Sequence, residues 1–131
     1  VCVHHGPETG CPTGVDLASL LALVNHPNVQ ATWDPVASLR AGEDPADGLD
    51  ALGHRIAHVR CADGRIVDGF WEDTSFGEGD IDWQDQLRRL YALDYVGPLS
   101  LEVYVEPRPK HGLRSATTLI HMIRDVQREA V

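Results

Sequence analysis

The order in which apolar runs recur constrains the fold of this chain more than any other feature. Four short apolar runs alternate with amphipathic stretches along 131 residues, a pattern that predicts an α/β fold built from βα units. The first run, Val1-Cys2-Val3, ends in His4-His5-Gly6. The second covers residues 29–34, carries the β-prone Val29, Thr32 and Trp33, and stops at Pro35. The third, Ile56-Ala57-His58-Val59-Arg60-Cys61, is stopped by Asp63-Gly64. The fourth covers residues 99–104, introduced by Gly97-Pro98 and closed by Pro107 and Pro109.

Helix signals fall between and after these runs. Thr13 with Asp16 three positions on is an acidic variant of a capping box, and Leu17, Leu20, Leu21 and Val24 follow at helical spacing. Asp44-Pro45 ahead of Leu49 and Leu52 predicts a short helix with proline in its first turn. Asp82 is expected to cap a helix that buries Leu87, Leu90 and Tyr91. Ser115 is expected to cap the last helix, with Leu119, Met122, Ile123 and Val126 facing inward. Residues 64–81, rich in glycine and acid, read as a long loop.

Consecutive βα units imply parallel strands joined by right-handed crossovers. A doubly wound open sheet and part of a (β/α)8 TIM barrel both satisfy that rule. No glycine-rich phosphate fingerprint follows any strand, which weakens the nucleotide-binding version. A complete barrel takes about 250 residues, so four units supply half of one and leave both sheet edges open. The expectation is a single domain over residues 1–131 that forms a half-barrel. Its complement would come from elsewhere in the polypeptide, from a different subunit, or from a second copy in a homo-oligomer.

Charge and cysteine content narrow the partners. With 11 Lys+Arg against 20 Asp+Glu the formal charge is −9, which opposes a nucleic-acid backbone. No apolar run approaches the roughly 18 residues of a membrane span. Cys2, Cys11 and Cys61 are too few and too scattered for a disulfide framework, so a reducing, cytoplasmic setting is expected. Cys2 and Cys61 read as small buried packers.

Reactive groups in parallel βα proteins gather beyond the carboxyl ends of the strands. Those ends carry, in order, His4 and His5, then Asp34, then His58 and Arg60, then Glu102. Charged groups there cost several kcal/mol in desolvation unless paired or metal-bound, so they point to a site. The segment ATWDPVASLRAGEDPADGLDALGHRIAHVRCADG, followed by FGEGDIDWQDQLRRLYALDYVGPLSLEVY, resembles the carboxyl-terminal half of the xylose-isomerase-like sugar phosphate isomerase/epimerase barrels. The strand-end Asp, the Gly-Glu-Gly-Asp-Ile-Asp loop and the Gly-Pro-Leu-Ser-Leu-Glu strand carry the resemblance.

The resemblance implies a divalent cation (Mn, Mg, Co or Zn) held by a Glu, an Asp, a His and a second Glu, one from each of these strands. It also implies carboxylates that shuttle a proton between neighbouring sugar carbons. Asp34 matches the family Asp and Glu102 the final Glu. The first Glu falls on Val3 or His4, the His falls on Arg60, and Ala62 replaces a Lys ahead of the retained Asp63. Arginine has no lone pair to offer a metal and would repel a dication. Arg60 is therefore expected to be the counter-charge itself, a planar fork between Asp34 and Glu102, with the metal site lost or much weakened. The alternative is a rearranged metal site using His4 or His58 with Asp34 and Glu102.

Glu102 and Asp34 are thus the candidate catalytic groups. Arg60, His58 and Trp33 are the candidate substrate contacts, and Asp34, Glu102 and His4 the candidate metal ligands. Trp71 and Trp83 share with Trp33 the option of stacking on a sugar face. The acidic residues from Asp63 to Asp82 read as a solvated loop. Two functions compete: an isomerase or epimerase of a small sugar or polyol acting by proton transfer next to a carbonyl, and a non-catalytic subunit or remnant that binds a ligand or assembles with a complementary half-barrel. A zinc-dependent abasic-site nuclease is opposed by the charge and by the shortage of His and carboxylate ligands.

Overall fold

In the computed structural model, which describes residues 1–130, strands β1 (Cys2–His4), β2 (Gln30–Trp33), β3 (Ile56–Cys61) and β6 (Leu99–Leu101) form one sheet in the order β1-β2-β3-β6. Every neighbouring pair is parallel, as consecutive βα units require. Helices α1 (Gly14–Val24), α2 (Pro35–Arg40), α3 (Pro45–Leu52), α4 (Trp83–Ala92) and α5 (Arg108–Glu129) fill the connections and follow the last strand. Val131 lies outside the described residues.

Strand residues divide by parity, because successive side chains leave opposite faces of a sheet. The odd positions Ala31, Trp33, Val59 and Cys61 join one core with Leu17 and Leu21 of α1, Leu49 and Leu52 of α3, Leu87 and Leu90 of α4, and Leu119 and Val126 of α5. The even positions His4, Thr32, His58, Arg60 and Ser100 occupy the other face, where His4 is in register with Thr32, Thr32 with His58, and Arg60 with Ser100. One face of the sheet is thus cemented by helices and the other lined with polar groups.

The caps follow local chemistry. Thr13 and Asp16 form the expected capping box on α1, Asp44 caps α3 and Asp82 caps α4. Three readings are corrected. Tyr91 is exposed rather than buried. Residues 64–81 are not a plain loop: they contain most of the antiparallel hairpin β4 (Asp63–Val67) and β5 (Phe70–Thr74), turned by Asp68 and Gly69 at φ 51° and 82°. Ser115 does not cap α5, which starts at Arg108. Ser115 is buried inside that helix, where its hydroxyl accepts the Phe76 N–H at 3.0 Å.

Candidate functional site

The carboxyl end of β2 delivers Asp34 as the N-cap of α2. Its Oδ1 accepts the Ala37 N–H at 3.1 Å, which fixes the carboxylate, and Pro35 occupies a first-turn position where no N–H is needed. Asp34 Oδ2 lies 3.2 Å from His4 Nε2 and 3.4 Å from the Arg60 guanidinium. Behind it the buried His5 accepts the Asp34 backbone N–H through Nε2 at 3.1 Å and stacks on Trp33 at a ring separation of 5.1 Å. Burial holds the His5 pKa below its ordinary value, so this ring is a neutral positioning group.

Arg60 reaches from β3 to the residue that follows β6. Its Nε donates to Glu102 Oε1 at 3.1 Å and its NH2 to Oε2 at 2.6 Å, the bidentate fork a guanidinium makes with a carboxylate. The remaining nitrogen, NH1, lies 3.3 Å from His4 Nε2 and close to Asp34. Tyr104 donates its hydroxyl to Glu102 Oε2 at 2.6 Å. Arg60 therefore stands between the two carboxylates, the arrangement expected from its lack of lone pairs.

The electrostatics follow from these contacts. Burial pushes the Asp34 pKa up, but the His4 hydrogen bond, the Ala37 N–H and the Arg60 charge outweigh it and leave the carboxyl below its ordinary range. The Arg60 hydrogen bonds hold Glu102 low as well, and the Glu102 carboxylate pushes the Tyr104 hydroxyl up. Both acids are ionised at neutral pH, and neither is a ready proton acceptor.

These groups line a cavity of about 420 Å³ together with Arg40 and with Trp71 and Asp73 from the hairpin. Two candidate substrate contacts fall outside it. Trp33 has no exposed surface: an odd strand position turns it into the helix layer, where Nε1 donates to Gln86 Oε1 at 2.8 Å. His58 shares the polar face with Arg60 but sits deeper, its Nε2 2.7 Å from the Ser100 hydroxyl, and is not part of the cavity wall. Trp83 is also buried, donating to the Ala62 carbonyl. Trp71 is the tryptophan that reaches the cavity.

Asp63 belongs to a structural clamp rather than a solvated loop. It is 3% exposed and accepts the N–H groups of Gly64, Gly77 and Ile81 at 2.8, 2.9 and 3.4 Å. Burial nonetheless raises its pKa. Cys61 is buried as expected and its thiol is pushed up to about 12 by burial, whereas Cys2 is exposed. Arg40 and Asp73, which no local signal singles out, complete the cavity mouth.

As placed, the donor set is a poor fit to a divalent cation. The Arg60 guanidinium stands between Asp34 and Glu102, where it offers no lone pair and its charge opposes a dication. Among the described residues no group of three or more His, Cys, Asp or Glu side chains is placed to hold a metal ion. Of the two imidazoles in the rearranged alternative, His4 Nε2 contacts Asp34 Oδ2 directly at 3.2 Å and lies 3.3 Å from Arg60 NH1, whereas His58 Nε2 is engaged with the Ser100 hydroxyl.

A parallel sheet covered by helices on one face, with polar side chains on the other and a site at its strand ends, defines half of a βα barrel. A model of the xylose isomerase-like TIM barrel family matches residues 3–125, and the chain belongs to that family. No curated protein matches it. Among solved structures, a xylose isomerase domain protein from Planctomyces limnophilus is 20% identical, with a TM-score of 0.80 over 98% of this chain and 46% of its own. A D-tagatose 3-epimerase-like protein is 22% identical, with a TM-score of 0.75 over 99% of this chain and 49% of its own. A 3-keto-D-glucoside 4-epimerase from E. coli is 18% identical, with a TM-score of 0.74 over 92% of this chain and 45% of its own. The chain spans about half the length of these structures, and at such identities the likeness shows the fold alone. Among the described residues no helix is long and apolar enough to cross a membrane.

Proposed function

We propose that this chain supplies the carboxyl-terminal half of a xylose-isomerase-like barrel whose strand-end cavity binds a small sugar or polyol without a divalent cation. One observation carries the reading: Arg60 lies between Asp34 and Glu102 and bonds Glu102 through two nitrogens. Ionised carboxylates fixed in this way accept hydrogen bonds from ligand hydroxyls, and Trp71 and Tyr104 offer aromatic faces in the same cavity. Binding rather than isomerisation is the role these groups support, because both acids are held below the basicity that proton abstraction needs.

A complementary half-barrel completes the site, whether from the same polypeptide, another subunit or a second copy. Among the described residues the edge strands β1 and β6 are unpaired on one side, and Leu20, Leu23 and Val24 leave an apolar stripe on α1. The free cysteines suit a cytoplasmic setting.

The second reading, a sugar isomerase or epimerase with Glu102 as the base, is favoured by the Tyr104 hydroxyl 2.6 Å from Glu102, which would link that carboxylate to the cavity. One experiment separates the two. A panel of small sugars and polyols is titrated calorimetrically, and aldose–ketose interconversion and epimerisation are assayed with and without Mn, Co or Mg. The binding reading expects saturable binding and no turnover under any metal. Turnover that disappears in Glu102→Gln would establish the enzyme instead.

A further inference from the structure

We infer that Arg40, laid across Trp71, forms an anion-recognising subsite at the mouth of the strand-end cavity, selecting ligands that carry a carboxylate or phosphate group. The inference rests on the cavity being the ligand site and adds the chemical class of ligand. Two guanidiniums line this cavity. Arg60 has its charge met by Glu102 and Asp34. Arg40, the last residue of α2, has no carboxylate within 4.0 Å and no side-chain hydrogen bond among the described residues. What it does have is a ring: its Cζ lies 5.5 Å from the centroid of Trp71, within cation–π range.

That ring is held from two sides. Its Nε1 donates to Asp73 Oδ1 at 2.9 Å. Its edge presses on Gly64, where a Cβ would collide with Cζ2 and Cε2. A guanidinium resting on a fixed aromatic face keeps its N–H donors for other partners, and that planar fork matches a carboxylate or a phosphate better than it matches a hydroxyl. Most arginines of this acidic chain are in ion pairs, including Arg65, Arg88, Arg89, Arg108, Arg114 and Arg128. The cation left without a carboxylate partner in the cavity is therefore the natural counter-charge for a ligand. Asp73 opposes an incoming anion, so the subsite expresses itself as a preference between charged and neutral forms of one ligand rather than as tight capture of a bare ion.

Trp71 makes the test direct, because Trp33 and Trp83 are 0% and 1% exposed and only Trp71 is open to solutes. The full chain is titrated with D-glucitol, D-gluconate and D-glucitol 6-phosphate, following tryptophan emission, with inorganic phosphate and acetate as bare-ion probes. The charged forms are expected to bind about tenfold or more tighter than D-glucitol. Arg40→Gln is expected to bring that ratio close to one, and Arg40→Lys to restore part of it. Preference for gluconate alone assigns the subsite to carboxylates, and preference for the phosphate ester alone assigns it to phosphates. Equal affinity for charged and neutral forms, or a ratio unchanged in Arg40→Gln, would overturn the inference while leaving the cavity reading intact. Failure of all three ligands to bind would sink both.

Discussion

Replacing Arg60 by glutamine tests whether a guanidinium serves as the cation of this site. The substitution keeps a planar hydrogen-bonding head but removes the charge between Asp34 and Glu102. The side chains of Arg60, Asp34 and Glu102 are 31%, 11% and 29% exposed. Breaking a fully buried pair costs about 3–5 kcal/mol, and breaking an exposed one about 0–1 kcal/mol. With Asp34 near the buried limit and Glu102 well short of it, a loss of about 2 kcal/mol is expected at neutral pH. For a domain of this size that corresponds to a fall in Tm of roughly 6–10 °C.

The pH dependence separates charge from packing. Asp34 and Glu102 have folded pKa values below their unfolded ones. Their contribution to stability is complete above the unfolded values, near 4, and is lost as pH falls through the folded ones. Without Arg60 both carboxyls rise toward or above the ordinary range, so the variant suffers fully at pH 7. Its deficit shrinks once protonation removes the charges that Arg60 was meeting. Thermal unfolding of wild type and Arg60→Gln, followed by circular dichroism at pH 7 and pH 3, is the assay. A deficit as large at pH 3 as at pH 7 would refute the electrostatic account and leave only lost packing.

Two further substitutions probe the frame around the site. Gly64→Ala places a methyl against the Trp71 ring and the Glu72 carbonyl, and is expected to cost about 1–3 kcal/mol and to raise acrylamide quenching of Trp71 as the ring is displaced. Trp33→Phe removes the donor to Gln86 Oε1 and leaves a buried amide oxygen unpaired. It is expected to cost about 1–3 kcal/mol in urea unfolding without changing ligand affinity, whereas a lost affinity would return Trp33 to the site.

The strands of the main sheet were legible because proline and glycine bracket their apolar runs, and the polar strand ends because charge inside such runs is costly. The relation of Arg60 to Asp34 and Glu102 was legible from the family resemblance, which set Arg60 at a ligand position beside two matched carboxylates, together with arginine's lack of lone pairs. What escaped was set by tertiary contact. The Asp68-Gly69 turn is a hairpin signal, but exposed Ile66, Val67 and Phe70 interrupt the alternation that would have marked the strands. Asp63 looks like its acidic neighbours, and only the return of residues 77–81 supplies the N–H groups that bury it. Pro107 and Pro109 read as breakers, yet Pro109 lies in the first turn of α5, where its missing N–H costs nothing. Trp33 shows that a strand-end aromatic takes its role from parity: one position before Asp34, it faces the helices.

If, as proposed, a guanidinium stands in for a metal ion here, the strand ends differ in what they can do, beyond the identity of the charge. A metal releases water and takes substrate oxygens into its coordination shell, so its carboxylate ligands can rearrange as the reaction proceeds. Arg60 directs its nitrogens to Glu102 and toward His4 and Asp34, in fixed directions. Displacing it would leave a partly buried carboxylate without a counter-charge. A ligand therefore gains more by adding hydroxyl donors to the open sides of Asp34 and Glu102 than by competing for Arg60. On the proposed reading, such a site would discriminate by the pattern of hydroxyls around a ring or chain and by the charge that reaches Arg40. On that reading, Glu102 takes up a proton only after release from Arg60, a contact that the chain makes within its own half of the barrel.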